Sequence, residues 1–294
     1  QRVECTYIFL KSMLDACSTY GPVLREARMQ ANESTARQQE VFPIQWSLDS
    51  SRVDSLFFLG YQAVRKKSGV TGIDILQFDR SRPFARNIPY YNYFPPNLEV
   101  KKPLAYLLPQ AWAEVAERMK LNNIEMYRLK KDTVLKAAVY YIRQFNTGKT
   151  AYEGHYLHSQ VKVESDTQHI QCFEGDYLIF CNQASNRYII ETLEPQAPDA
   201  FFAWNFFDEI LQQKEWFSDY LWDEEAGKIL NENDALKQEF EAKKASDSSF
   251  ASNAWAMYSW IFERSQWHEP SHLRYPVLRL DMPLPGKSLM KASD

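Results

Sequence analysis

The chain has 294 residues, a net charge of -4, 45% hydrophobic and 24% charged residues, which is the composition of a folded globular protein with room for one large or two modest cores. That balance supplies no broad basic field, so nucleic acid and anionic lipid are not expected partners, and no apolar run approaches the roughly 20 residues of a membrane span. Nine glycines argue against phosphate-cradling loops, whereas 15% aromatic residues serve tight packing or contact with peptide and carbohydrate.

Val3, Tyr7, Leu10, Leu14 and Cys17 recur at helical spacing and predict a helix that ends near Gly21-Pro22. Gln1-Arg2 stand where an N-cap would be, so the chain is expected to be a segment of a longer protein, or one that has lost a leader. Pro22 to about Gln39 reads as a second, polar helix. Residues 41–103 read as strand-rich, with strands at Ser55 to Val64 and Gly72 to Phe78, and with Arg82-Pro83, Ile88-Pro89 and Pro95-Pro96 imposing a turn-filled loop. Leu104 to Leu108, Gln110 to Leu121 and Ile124 to Leu129 predict a βαβ unit with parallel strands, Asn122-Asn123 forming the helix exit.

Strands follow at Val134 to Phe145, His155 to Val163, Tyr177 to Cys181 and Arg187 to Leu193, the last two forming a hairpin with an amide-rich loop. Residues 199–280 read as helical, with helices at Asp199 to Gln213, Glu224 to Asn231, Asp234 to Ala245 and Phe250 to Glu263. Asp234 and Ser248 or Ser249 are the expected N-caps. Tyr275-Pro276 and Pro283-Leu284-Pro285-Gly286 close the fold, and residues 281–294 form a tail. The fold class is therefore α+β, a strand-rich region with one βαβ unit followed by an α-helical C-terminal part, divided at 1–40, 41–103, 104–198, 199–280 and 281–294.

Chemistry is sparse. Three residues after His155, His158, His169, His268 and His272 stand His158, Val161, Cys172, Ser271 and Tyr275, so the His-x-x-Glu of a zinc carboxypeptidase site is missing from this segment, and no catalytic, cofactor-binding or metal-binding residue is assigned. His155 and His158, with Glu153 and His169, form the one alternative metal cluster, but on a strand the two histidines point to opposite faces. Asn146-Thr147-Gly148-Lys149-Thr150 lacks the first glycine of a phosphate loop, where Arg143 stands. Cys5, Cys17, Cys172 and Cys181 show no metal spacing; Cys172 and Cys181 are either buried thiols or, on neighbouring strands, a disulfide. Two dense segments supply candidate ligand or domain contacts: Asn182, Gln183 and Arg187 in the hairpin, and Asp199, Trp204, Asn205 and Asp208 in the aromatic stretch Phe201 to Asp208. In both, packing or turn formation competes with a ligand role.

These segments, together with Tyr106-Leu107-Leu108-Pro109-Gln110-Ala111-Trp112, Asp79-Arg80-Ser81-Arg82-Pro83-Phe84, Glu153-Gly154-His155-Tyr156, Glu194-Pro195-Gln196-Ala197-Pro198-Asp199, Gln212-Gln213-Lys214-Glu215 and Arg274-Tyr275-Pro276-Val277, resemble the region after the catalytic domain in zinc carboxypeptidase-like proteins of the carboxypeptidase A clan, typical of Bacteroidetes-type bacteria. Trp204-Asn205-Phe206-Phe207-Asp208 is the most specific string, and Ala200 departs from the serine of that pattern. Arg2-Val3 looks like the start of the helix following the general-base glutamate. The resemblance implies that residues 1 to about 40 end an upstream peptidase domain that binds zinc and removes C-terminal residues from peptides. It also implies a secreted or periplasmic parent. The module's expected partners are that domain and its peptide substrate; the rival reading is an independent peptide- or carbohydrate-binding module.

Overall fold

The computed structural model describes residues 2–282 and the backbone of residues 289–291. The fold is mixed α+β, and the chain divides into two compact units, residues 41–101 and the remainder.

The larger unit starts with α1 (Arg2–Arg37), one continuous 36-residue helix with Pro22 inside it. The expected break at Gly21-Pro22 does not occur. Proline crowds the Cβ of the residue before it, and Gly21 has none, so the helix runs on with one hydrogen bond missing. Exposed i,i+4 pairs, Lys11 with Asp15 and Glu33 with Arg37, add a few tenths of a kcal/mol each. No residue of α1 is buried.

In the unit spanning 41–101, β1 (Val41–Trp46) pairs antiparallel with β4 (Pro96–Lys101), while β2 (Asp54–Lys67) and β3 (Asp74–Tyr90) form a long antiparallel hairpin. The prolines expected to make a loop, Pro83 and Pro89, lie within β3. A hairpin strand has one partner only, so a proline nitrogen is tolerated on its outer edge or at a bulge. Such a bulge follows Tyr61 opposite Pro83, before Gln62 opposite Asp79. Asp79 holds it by accepting from the Ser81 amide and hydroxyl (3.0 and 2.6 Å) and from Arg82 Nε (2.8 Å). At the hairpin tip Gly72 adopts φ +68°, which a side chain would strain.

The body of the larger unit is a seven-stranded sheet. It contains β5 (Ala105–Leu108), β6 (Tyr127–Leu129), β7 (Thr133–Thr147), β8 (His158–Cys172), β9 (Tyr177–Phe180), β10 (Leu278–Leu280) and β11 (Leu289–Lys291), in the order β11-β6-β9-β5-β10-β7-β8 with antiparallel neighbours throughout. The βαβ unit exists in split form. Both β5 and β6 run antiparallel to β9 and hence parallel to each other, with β9 inserted between them and α2 (Ala113–Leu121) connecting them. Part of the expected tail, β11, is the edge strand beside β6; residues 283–288, with the Pro-Leu-Pro-Gly stretch, and 292–294 lie outside the described residues.

Alternation along β5, β9 and β10 sends Ala105, Leu107, Leu178, Leu278 and Leu280 into one core with Leu129, Leu135, Val139 and Cys172. The opposite face receives Tyr106, Ile179 and Arg279. Cys172 ends β8 and Cys181 follows β9, and three strands separate β8 from β9. The two are free buried thiols, not a pair.

Two further expectations are corrected. Asn186–Leu193 is a helix, α3, not the second strand of a hairpin. Tyr188-Ile189-Ile190 has β propensity, but Asn186, Ile189, Ile190 and Leu193 are all buried, and their 0, 3, 4, 7 spacing is that of one helical face. The stretch 199–213 is a chain of turns ending in a 3-10 turn at Asp208–Leu211. Helix is interrupted where Asn205 adopts φ +68°. Beyond it, α4 (Asp219–Glu232), α5 (Asp234–Ser246), α6 (Ser248–Ala251) and α7 (Ala254–Phe262) share a separate core of Trp222, Phe240, Phe250, Ile261 and Phe262. The caps of α5 and α6 stand earlier than the expected Asp234 and Ser248 or Ser249, and a third cap at Asn253 starts α7, splitting the expected helix Phe250 to Glu263. Asn233, Asp247 and Asn253 accept from the amides of Leu236, Phe250 and Ala256, a pattern that satisfies otherwise orphaned donors.

Candidate functional site

The residues named from sequence fall into two places. Asn182 is exposed in the turn after β9. Gln183 accepts from the Glu125 amide (2.8 Å) and donates to the Glu125 and Phe180 carbonyls (2.9 and 3.0 Å). Arg187 grips Glu191 one turn along α3 through two bonds of 2.7 and 2.8 Å. Gln183 and Arg187 thus bond within the fold, Gln183 bridging two chain segments and Arg187 bracing its own helix. Beside them Asn186, fully buried, donates to the carbonyls of Cys181 (2.9 Å) and Thr35 (3.0 Å). That second bond fastens the C-terminal end of α1 to the body.

Asp199, Trp204, Asn205 and Asp208 lie on the chain of turns. Trp204 Nε1 donates to Asp199 (3.3 Å), and Asn205 Nδ2 donates to the Tyr156 carbonyl (2.9 Å). Asp208 Oδ1 lies 3.0 Å from His158 Nε2, and Thr147 Oγ1 lies 3.0 Å from His158 Nδ1. Asp208 requires a hydrogen on Nε2, the Thr147 hydroxyl can donate to or accept from Nδ1, and Asn205 Nδ2 also lies 3.2 Å from Nε2. His158 is buried, with Phe145 and Phe202 at ring distances of 4.8 and 5.0 Å, and its amide donates to the Ala203 carbonyl (2.9 Å). The imidazole therefore joins the β7–β8 hairpin to the turns of residues 200–208. Asn205 takes the left-handed conformation that asparagine tolerates better than most residues. His155 lies outside this set, its ring 5.5 Å from Trp204 and 6.0 Å from Phe206. Among the described residues no group of three His, Cys, Asp or Glu side chains is placed to hold a metal ion.

The strongest electrostatic centre was not singled out by sequence. Register puts Arg279 opposite Tyr106 on one side and Ala138 on the other, so Tyr106, Arg279 and Tyr140 share the sheet face that Glu194 covers. Tyr106 donates to Glu194 at 2.5 Å, Arg279 Nη1 donates to the same oxygen, and Tyr140 bonds the carboxyl too. Tyr275, fully buried, donates to the Leu193 carbonyl (2.9 Å). Burial pushes the Glu194 carboxyl above its ordinary range, against the pull of Arg279 and the two tyrosines. Burial works against the charge on Arg279 as well, and Glu194, Tyr106, Tyr140 and Asp281 together more than offset it. Tyr106 and Tyr275 are raised far above the usual phenol value, first by burial and then by Glu194. A signal for this centre was present: Arg279 sits inside the apolar run Val277-Leu278-Arg279-Leu280, and a charge in such a run needs a partner.

Open clefts are also present among the described residues of the larger unit. Trp112, Glu114, Val115, Phe206 and Glu209 line one, with the Arg118 guanidinium 4.4 Å above the Phe206 ring. Tyr141, Arg143, Glu263, Arg264, His268 and His272 line another. There the arginines face carboxylates, Arg143 with Glu164 at 2.7 Å and Arg264 with Glu263 at 3.6 Å, and burial holds His268 below its ordinary value.

No helix among the described residues is long and apolar enough to cross a membrane. No family model, no curated protein and no solved structure matches the chain.

Proposed function

We propose that this chain is a non-catalytic accessory module at the C-terminal side of a metallocarboxypeptidase-like protein, docked through α1 onto the peptidase domain. One observation carries the docking: the 36 residues of α1 bury no side chain, while Val3 is 82% and Leu14 71% exposed and Tyr7 and Leu10 are also exposed. Ile8, Phe9, Met13 and Leu24, on other sides of the helix, are exposed too. A helix with apolar residues on several sides belongs inside a larger core. The sequence resemblance supplies the identity of that core. In this reading zinc and the catalytic glutamate belong to the upstream domain, the parent is secreted or periplasmic, and the module shapes the route of peptide substrate to the zinc.

The test has two parts. The purified chain should neither bind zinc stoichiometrically nor release C-terminal residues from peptides, and the reading frame ahead of Gln1 should encode a His-x-x-Glu motif and a later glutamate. Carboxypeptidase activity in the isolated chain, or an upstream frame with neither motif, ends the proposal.

A specific observation favours the rival, an independent peptide- or carbohydrate-binding module. Exposed Tyr152 and half-buried His155, Trp204 and Phe206 form an aromatic surface, with Tyr152 and Trp204 ring centres 6.1 Å apart. Saturable binding of peptides or glycans to the isolated chain, abolished by Trp204→Ala, supports that reading.

A further inference from the structure

The β2–β3 hairpin carries exposed apolar side chains on both faces. Its strands, 14 and 17 residues long, pair only with each other among the described residues, and a two-stranded ribbon is at best marginally stable alone in water. Leu56, Phe58 and Ile75 fall on one face, Phe57, Leu59 and Phe78 on the other, and all six are exposed. Each strand also leaves its outer edge open to pairing.

The hairpin is basic in an acidic chain. Residues 41–101 hold eight Lys and Arg against five Asp and Glu, a balance of +3, where the whole chain carries -4. Arg65, Lys66 and Lys67, near the tip, are exposed and make no ion pair among the described residues. Residues 199–281 are the reverse, with sixteen Asp and Glu against eight Lys and Arg, a balance of -8. Exposed aromatic rings stand on and beside α4 and α7, near the α4 carboxylates, of which Glu224 and Glu225 also pair with Lys228. Trp216 lies 5.7 Å from Trp255, Trp267 donates to Glu225 at 3.3 Å, and Tyr220 is 81% exposed between Asp219 and Glu224 in sequence.

One surface is apolar and cationic, the other apolar and anionic. Pairing two hairpins would set positive charge against positive charge, whereas hairpin on helical face brings opposite charges together and lays Arg and Lys on Trp rings. We propose that the β2–β3 arm of one copy of this chain docks on the acidic aromatic face of α4 and α7 in a second copy.

Sedimentation velocity at low salt should show reversible, concentration-dependent association, weakened about tenfold or more in high salt. Arg65→Glu/Lys66→Glu/Lys67→Glu and, separately, Asp219→Lys/Glu224→Lys should each weaken it by a similar factor, with circular dichroism confirming that both variants stay folded. Mixing the two variants should restore association between them. In a mixture of light and heavy isotope-labelled wild-type chains, arm-to-face cross-links should join light to heavy. A chain that stays monomeric at low salt, association that the charge changes leave untouched, or cross-links confined within one chain would each overturn the proposal.

Discussion

The seven-stranded sheet and the two exposed elements, α1 and the β2–β3 arm, use apolar residues in opposite ways. In the sheet, Leu107, Leu129, Val139 and Leu178 are essentially sealed from water, and even the charges of Glu194 and Arg279 are buried against each other. In α1 and the arm, residues of the same kind are left in solvent. Apolar burial is worth roughly 25 cal/mol per Å², so the sheet is stabilised by contacts within the chain, while α1 and the arm gain that term only from another surface. The difference separates apolar surface that the described residues bury from apolar surface that they leave in solvent.

The largest effect is expected where the sheet buries charge. Arg279→Ala or Glu194→Ala leaves the other charge without its partner and should cost about 3–5 kcal/mol in urea unfolding. The double change Glu194→Leu/Arg279→Met should lose far less, because it removes both desolvation penalties. Single changes worth under about 1 kcal/mol would place that face of the sheet in solvent and blur the contrast with α1. Next, Asn205→Ala gives up the bond to the Tyr156 carbonyl and puts alanine at φ +68°, for a loss of about 1–2 kcal/mol. Asn205→Gly keeps the backbone conformation and should lose less.

The smallest effect is the most local. Cys5 and Cys17 on α1 are exposed, whereas burial raises the thiols of Cys172 and Cys181 to about 12. A thiol reagent at neutral pH should therefore label Cys5 and Cys17 at once and Cys172 and Cys181 only after unfolding, since the thiolate is the reactive form. Rapid labelling of all four would erase the contrast between α1 and the sheet.

Much of the sheet was legible because its signals are local. The β-branched and aromatic run around Val139-Tyr140-Tyr141-Ile142 and the apolar Tyr177 to Phe180 became strands β7 and β9. Insertion of β9 between β5 and β6 depends on pairing across about fifty to seventy-five residues, and the local pattern of two strands and a helix is the same whether or not a third strand enters. The Arg187 to Leu193 stretch carries β-prone residues, and its helical spacing appears only once the buried Asn186 is counted with Ile189, Ile190 and Leu193. The aromatic stretch 199–208 resisted reading for another reason: its rings go to different neighbours, Phe207 to Trp112 and Tyr275, Phe202 to Phe145 and His158, which needs turns and not one face. At the candidate site, Asn205 and Asp208 were picked out by density, but the histidine they meet comes from the start of β8, some fifty residues earlier, and only the fold brings it there. The row Val3, Tyr7, Leu10 and Leu14 was visible at once, though the sequence pattern alone does not distinguish a face that meets the chain's own core from one that meets another domain.

Amide hydrogen exchange along α1, compared between the isolated chain and the product of the complete reading frame, tests the docking most directly. The account predicts fast exchange from Val3 to about Leu24 in the isolated chain and strong protection of the same amides in the full-length protein, with the sheet equally protected in both. Equal exchange along α1 in the two proteins would contradict it.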